Sequence, residues 1–369
     1  MGKILNRFLV IINIIFAFFL LLSGISVFVS PAIWWLFAFF AIAFPYLLVV
    51  NIVFSIFWLI LLNRWALLSL ATIILNIGHI TAIYQLPKWA SDFFSEKTTD
   101  AREIRIFSYN IKALNRYESK KPKMKFSEVL KLIKMQNPDI ICIQEFILMK
   151  KGKESINQIL ASLSPLKYYY AFYNYTSSAS TGDGIMIMSK FPILKTYKVD
   201  FKKTVNAAMY ADVNIDGTAT RIFCVHMQSI QFIKENYDYL DGLNFNYSEK
   251  SKTAIKKISI KLRDAFILRA NQADFLSTLI EESACPVIVC GDFNDTPVSY
   301  TYRKMKNNLL DAFRESGHGL GLTYNGLAPN FRIDYILFSK HFQSNTFKTF
   351  DISYSDHFPI TASLQLKLP

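Results

Sequence analysis

The sequence predicts an α/β fold: two sheets in a layered sandwich with helices outside, preceded by an all-α transmembrane region of about three helices. Three observations point there. The first 86 residues are almost unbroken apolar sequence; the rest alternates short apolar strands with amphipathic helical stretches; and strands follow one another from 167 to 226 without a helix between them. That last run suits paired sheets better than a purely doubly wound one.

The apolar region comes first. From Phe8 to Asn63 there is no Asp, Glu, Lys or Arg. About 20 such residues cross a bilayer as a helix, so spans are expected near 8–29, 32–61 and 65–86. The second is overlong and holds Pro45, which predicts a tilt, a kink or a partly interfacial course. A cleaved signal peptide fits poorly, because the first run is too long and further spans follow. A buried soluble helix fits less well, since Trp34, Trp35, Phe37, Phe39 and Phe40 leave no polar face. Lys3, Arg7 and Arg64 belong on the cytoplasmic side by the positive-inside rule. Three crossings then put the remainder outside, although Lys88, Lys97, Arg102 and Arg105 pull mildly the other way. The expected organisation is a multi-pass anchor over 1–90, a polar linker over 91–101 and an extracytoplasmic domain over 102–369.

Charge narrows the partners. The chain carries +13, and the first 90 residues hold only Lys3, Arg7, Arg64 and Lys88 and no acid, leaving +9 on the remainder. An anionic partner is expected, such as a lipid headgroup, a nucleic acid or a phosphoester; a solvated basic surface is the plainer reading. Lys112, Arg116, Lys120, Lys121, Lys123 and Lys125 cluster just past a strand. Cys142, Cys224 and Cys290 lie in apolar strand-like runs, and with Cys285 they fit no zinc spacing, so buried free thiols are expected.

The elements follow in order. EIRIFSY, 103–109, alternates as a strand and ends at Asn110. Helical spacing runs over 126–135 until Asn137-Pro138 breaks it, and DIICIQE, 139–145, is a strand ending in Glu145. A helix over 154–163, a strand over 167–173 and a strand over 181–193, stopped by Pro192, come next. A hairpin over 206–215 and 219–226 turns at Asp216-Gly217 and delivers His226. An irregular, aromatic stretch from Ser229 to Ser251 precedes a long amphipathic helix near 252–282. Strands at 286–291, 331–339 and 359–367 complete the chain, with Asp334 inside the second.

Asn110, Glu145, His226 and Asp292 thus each end an apolar strand, and Asp356-His357 precede the last one. Strand ends on one edge of a packed sheet converge. Any one of them alone reads as an ordinary loop residue. Together they supply oxygen ligands suited to Mg²⁺ or Mn²⁺ rather than zinc, and two histidines able to exchange protons near neutral pH. No Ser or Cys nucleophile constellation competes. Asp295 reads as a turn-supporting residue, His318 as a glycine-rich loop residue, His79 as a packed neutral histidine and His341 as a surface residue. The sequons at Asn174 and Asn246 read as chance.

FSYNI (107–111), IQE (143–145), HMQS (226–229), GDFND (291–295), RIDYI (332–336) and SDH (355–357) resemble, in order, the motifs of the endonuclease/exonuclease/phosphatase superfamily; the three-span N-terminus lies outside that resemblance and is similar to that of its membrane-anchored bacterial members. The resemblance implies a DNase I-like four-layer α-β-β-α sandwich over about 102–369. It implies that Glu145, with Asn110 and Asp356, holds Mg²⁺ or Mn²⁺. It implies that Asp292 and Asn294 position and activate water, that His357, paired with Asp334, contacts the scissile phosphate or acts as base, and that His226 stabilises the phosphate or protonates the leaving oxygen. His226 stands where AP endonucleases tend to carry Tyr, which argues against base-excision repair. The expected function is metal-assisted hydrolysis of a phosphodiester, in a lipid headgroup beside the bilayer or in nucleic acid. An extracytoplasmic nuclease and a catalytically inactive scaffold are the alternatives, and no obligate protein partner is evident. The aromatic stretch at 229–251 could form a lipid-facing lip or merely cover core.

Overall fold

The structure, a computed structural model, describes residues 2–87, 102–115, 126–149, 156–173, 181–201, 204, 206–230, 249–326, 330–352 and 354–367. The linker 91–101, the basic residues from Arg116 to Lys125, the aromatic stretch 231–248 and both sequons lie outside the described residues. The chain divides into two units. The first takes in Met1–Tyr84, Ile230–Asp274 and Asp295–Met305; the second takes in Gln85–Ser229, Phe275–Asn294 and Lys306–Pro369.

In the first unit the apolar sequence forms α1 (Lys3–Ser26), α2 (Pro31–Trp34), α3 (Leu36–Ile60), α4 (Ala66–Leu75) and α5 (Ile77–Ile83). The Ser30 hydroxyl caps α2, and Pro31 follows at its first position, where no backbone donor is needed. Pro45 lies within α3, which continues to Ile60 as one helix. The third expected span is instead two helices bent by 65°. Asn76 sits at the break, donating its amide to the Thr72 carbonyl at 2.9 Å, a side-chain bond that competes with the helical ladder. Helices α1 and α3 are long and apolar enough to cross a membrane, and the bent pair makes a third if it is one span.

The N-terminal helices of this unit turn many large apolar side chains outward and bury several polar ones. Ile4, Phe8, Ile11, Phe18, Leu67 and Ile74 are exposed, whereas Asn13, Ser23, Asn51, Ser55, Ser69, Thr72 and Asn76 are buried. The buried groups tie helices together: Ser69 donates to Asn13 at 2.6 Å, Asn51 to the Phe16 carbonyl at 3.1 Å, and Ser23 to the Phe40 carbonyl at 2.6 Å. His79 is packed, as expected, with Nε2 3.1 Å from the Gly24 carbonyl and its ring edge-on to Phe44. Residues far along the chain share this unit. Val298 joins Leu20, Val27, Phe44 and Leu47, Phe266 meets Phe39 edge-on at 5.3 Å, and the Arg303 guanidinium lies 4.3 Å from the centre of the Phe28 ring. Asp295 supports its turn as expected, accepting the Thr296 N–H at 3.0 Å, with Arg269 3.7 Å away.

From residue 103 onward the elements are β1 (Glu103–Asn110), α6 (Phe126–Gln136), β2 (Ile140–Met149), α7 (Ile156–Ser162), β3 (Tyr168–Tyr173), β4 (Thr181–Ser189), β5 (Ile193–Val199), β6 (Ala207–Ile215) and β7 (Thr218–His226). Then come α8 (Glu249–Glu281), β8 (Val287–Asp292), α9 (Tyr300–Lys306), β9 (Leu310–Asp311), α10 (Ala312–Ser316), β10 (Asp334–Phe338), β11 (Phe342–Thr349) and β12 (Ile360–Leu366). The strands form two six-stranded sheets, β11-β12-β1-β2-β4-β3 and β5-β6-β7-β8-β10-β9, so the two-sheet α/β architecture is present.

Side-chain parity sorts the second unit into layers. Ile104, Ile106, Ile140, Cys142, Ile187, Met209, Ile222, Cys224, Ile288, Cys290, Ile336 and Phe338 belong to one core shared by both sheets. The opposite parity of the first sheet, with Phe107, Tyr109, Ile141, Ile143 and Met186, packs with Val129, Leu132 and Ile133 of α6 and Ile159 of α7. All four cysteines are free, and burial pushes the Cys142 and Cys224 thiols up.

Two boundaries differ from expectation in ways that matter. Strand β2 does not end at Glu145 but runs on to Met149, with its register to β4 shifting between Ile143 and Phe146. Asp334 is the first residue of β10 rather than an interior one.

Candidate active site

The polar site continues the inter-sheet core. On β1 the core residues Ile104 and Ile106 share their parity with Asn110. On β7 Ile222 and Cys224 lead to His226, on β8 Ile288 and Cys290 lead to Asp292, and on β10 Phe338 and Ile336 lead back to Asp334. Each side chain therefore points inward for the same reason that its apolar predecessors do. Pairing fixes their level: Asp292 lies opposite His226 on one side and Asp334 on the other.

Glu145 breaks this parity and still arrives. Its neighbour Gln144 holds the inward position, and at the bulge Glu145 takes φ +50°, a conformation costly for a residue with a Cβ. The carboxylate then lies 3.0 Å from the Asn110 amide nitrogen. Gly291 has an equally local reason. Its φ is +138°, and a Cβ there would stand 1.9 Å from the Val225 carbonyl oxygen, so the glycine of GDFND lets β8 lie against β7.

The hydrogen bonds converge on Asp292. Its Oδ2 accepts from Asn110 and from the Asn294 side chain, each at 3.0 Å, and Oδ1 accepts the Asn294 N–H at 2.7 Å. His226 Nε2 and His357 Nε2 stand 3.8 and 3.7 Å from it. Asp334 lies 2.9 Å from His357 Nδ1, the pairing expected from RID and SDH, while Thr323 Oγ1 accepts the Asp334 N–H at 3.0 Å. Asp356 Oδ2 meets the Lys112 ammonium at 2.5 Å. The Ser355 hydroxyl donates to the Asn110 carbonyl and accepts the His357 N–H, binding this loop to the end of β1. All eight expected residues thus lie in this one hydrogen-bonded region.

The electrostatics are those of crowded acids. Burial, aided by Asp334, raises Asp292 to about 6 against the pull of His357 and His226. Burial also raises Glu145, opposed by its bond from Asn110. Burial lowers His226. Burial pulls His357 down as well, but Asp334 and Asp292 more than offset it and raise the imidazole to about 10.

The residues fit a hard divalent ion. Ligand atoms of Asp292, Asp334 and His357 lie within 4.8 Å of one another, and Asp334 Oδ1 is buried without a hydrogen-bond partner among the described residues. This cluster differs from the expected ligand set of Asn110, Glu145 and Asp356, in which Asn110 meets Glu145 and Lys112 meets Asp356. Among the described residues the four carboxylates Glu145, Asp292, Asp334 and Asp356 meet the Lys112 ammonium and the His357 imidazole, and such an excess of acids favours a dication.

Sequence reasoning missed several supports. Asn206 Nδ2 lies 3.1 Å from His226 Nε2, in a chain that continues through Thr204 to Gln228. Tyr324 stacks edge-on to His357 at 5.4 Å. Lys112 was legible only as one member of a basic cluster. The expected plain positions of His318 and His341 are exposed, as read.

Comparison with known proteins bears on the family and the fold. Protein angel homolog 2 of Danio rerio is 26% identical over 188 residues, 51% of this chain and 30% of that protein, so the chain spans less than a third of that relative's length. The endonuclease/exonuclease/phosphatase from Beutenbergia cavernae DSM 12333 superposes with a TM-score of 0.51 at 15% identity, covering 72% of each chain. A family protein from Bacteroides thetaiotaomicron gives 0.50 at 18%, covering 73% of this chain and 100% of its own. These similarities establish the DNase I-like fold. Residues 6–83 match a Domain of unknown function (DUF8431). The Endonuclease/Exonuclease/phosphatase family model matches residues 107–357, and the chain belongs to that family of phosphoester hydrolases, which generally use divalent metals.

Proposed function

We propose that the protein is a membrane-tethered, divalent-metal-dependent phosphoesterase that hydrolyses a phosphodiester by attack of water. One observation carries this reading: four buried or half-buried carboxylates, two histidines and two amides from distant parts of the chain share one hydrogen-bonded site with an excess of negative charge. The outward apolar and buried polar side chains of the N-terminal helices support the tether, since hydrocarbon selects apolar surfaces and neutral interhelical hydrogen bonds. By the placement of Lys3, Arg7 and Arg64, the catalytic part is extracytoplasmic.

Asn110, Glu145 and Asp356 hold the ion, Mg²⁺ or Mn²⁺, which when bound supplies Lewis acidity and neutralises phosphate charge. Asp292, fixed by Asn110 and Asn294 and made more basic by burial, orients water and takes its proton. A P–O bond forms to the water oxygen, the bond to the leaving oxygen breaks, and the proton ends on the leaving group. The His357 imidazolium, held by Asp334, faces the phosphate; His226, steadied by Asn206, serves the leaving oxygen.

The substrate is a phospholipid or sphingolipid headgroup at the bilayer, or nucleic acid. An extracytoplasmic DNase-like nuclease is the second reading, favoured by the +9 charge beyond residue 90. A catalytically inactive scaffold is the third, and the filled site positions weigh against it. The bilayer is the expected partner, and no obligate protein partner is invoked. Full-length protein in liposomes, assayed with Mg²⁺ or Mn²⁺ against lipid phosphodiesters, DNA and RNA, tests this. Lipid hydrolysis lost on chelation is the expected result, DNA hydrolysis alone would turn the assignment to the nuclease, and no hydrolysis of any phosphodiester would sink both.

A further inference from the structure

Among the described residues, Lys112 is the lysine whose ammonium meets an expected site carboxylate. It follows β1 by two residues and takes φ +43°, with Ala113 at +50°. Two consecutive non-glycine residues in the left-handed region are costly and persist only where surrounding contacts enforce them. Here the Lys112 N–H donates to Asn110 Oδ1 at 3.0 Å, and Nζ reaches Asp356 Oδ2 at 2.5 Å. The ammonium also acts on Glu145, whose acidity it increases against burial. Its side chain is 26% exposed, whereas the Asp356 side chain is 9% exposed. Lys112 therefore reaches from the open side onto two of the three groups that serve the ion.

We propose that Lys112 competes with the divalent ion for Asp356 and, once displaced, presents its ammonium to the substrate phosphate. The inference rests on the metal-phosphoesterase reading of the site. Its logic is charge balance. Without the ion, the crowded carboxylates need a cation, and a tethered ammonium supplies one. A dication outcompetes a single charge for the same oxygen. The flexible stem then keeps the displaced ammonium within reach, where a dianionic or monoanionic phosphate is the natural partner. A plain salt bridge that merely holds Asp356 ready predicts the opposite response to charge removal.

The test uses full-length protein in detergent. Equilibrium Mn²⁺ binding is read by electron paramagnetic resonance, and inhibition by inorganic phosphate is read at saturating Mn²⁺. Lys112→Met should bind Mn²⁺ about tenfold more tightly, as expected when a water-screened repulsion at a few ångströms is removed. It should also be inhibited by phosphate several-fold less strongly, with Lys112→Arg close to wild type in both. Unchanged or weaker Mn²⁺ binding by Lys112→Met, in an enzyme that still hydrolyses phosphodiesters, overturns the role of Lys112 alone. Wild-type protein that neither binds Mn²⁺ nor hydrolyses anything overturns the functional reading beneath it. A second measurement needs no variant: Mn²⁺ should raise labelling of Lys112 by an amine-reactive ester and leave Lys190, paired with Asp139 at 3.0 Å, unchanged. Labelling of Lys112 that stays level or falls overturns the proposal.

Discussion

The two units both bury polar side chains, and they differ in what meets them. Among the helices α1 to α5 of the first unit the buried polar groups are neutral, and they bond to backbone carbonyls or to a matching side chain, as with Ser69 on Asn13 and Asn51 on Phe16. In the second unit Glu145, Asp292, Asp334 and Asp356 crowd together, Asp334 Oδ1 lacks a partner among the described residues, and burial raises Asp292 and Glu145. A satisfied neutral network returns its cost of burial as fixed helix packing. An excess of one charge stabilises nothing by itself, and marks a place where something else must bind. The difference separates a structural interior from a functional one without reference to sequence motifs.

The largest effect should come from removing one of those charges. Glu145→Gln keeps shape and burial, and should lower turnover about 10³-fold, the scale of losing a preorganised charge at a reacting centre. The melting temperature should hold or rise, because one of several mutually repelling carboxylates is gone. Asn51→Leu in the bundle should do the reverse, losing stability with the chemistry intact. Equal losses of stability from both would erase the distinction between the units.

Gly291→Ala comes next. A Cβ 1.9 Å from the Val225 backbone oxygen, at φ +138°, cannot be relieved by a side-chain rotation. The second unit should lose on the order of 3 kcal/mol or more, measured by denaturant unfolding, and activity should fall with it. Normal stability would mean that β7 and β8 yield where their pairing says they are fixed.

The site's charge balance also predicts a pH response once the ion is chelated. His357, raised from 6.5 to about 10, binds its proton more tightly in the folded state. Its contribution is fully present below 6.5 and is lost as pH rises through 10. Asp292, raised from 3.8 to about 6, has the same sign over its lower window, because its uncharged form suits the buried site. The melting temperature of chelated protein should therefore fall from pH 6.5 to 9.5. Mg²⁺ should raise it most at the alkaline end, where the carboxylates it binds are uncovered. Asp334→Asn should flatten the slope by removing the main partner of His357.

Much of this was legible in the sequence, and the misses share a cause. Core strands stand out as alternating or continuous apolar runs, so β1, β7 and β8 could be read to the residue at which each run meets Asn110, His226 and Asp292. The missed strands β5, β9 and β11 are all sheet edges. Most of β5 faces solvent, with Lys195 and Lys198 along it, and β11 is bulged between Ser344 and Thr346, so neither carries a clean period. Glu145 was found for the wrong reason. It reads as a strand end, whereas a bulge inside β2 turns it inward, and a bulge leaves no signature in hydrophobic spacing. Lys112 was hidden within a basic cluster of the sequence because its direction depends on a positive φ that nothing in residues 112–115 announces. The break at Asn76 was hidden by the apolar run around it.

That break offers the smallest and most discriminating test of the neutral network. A Cβ on Gly24 would stand 2.0 Å from Asn76 Oδ1, a side-chain atom that can move only by giving up its present packing. Asn76 meanwhile donates to Thr72 at 2.9 Å. Gly24→Ala alone should destabilise the bundle by about 1 kcal/mol, the scale of interhelical polar contacts in membranes. Asn76→Ala alone should cost a similar amount through the lost hydrogen bond. The pair should not add. With the amide gone, the new methyl has room, and alanine's better helix propensity at position 24 works in its favour. A double-mutant cycle on folding in detergent should thus show the second substitution offsetting the first. Simple additivity would mean that Gly24 and Asn76 do not meet.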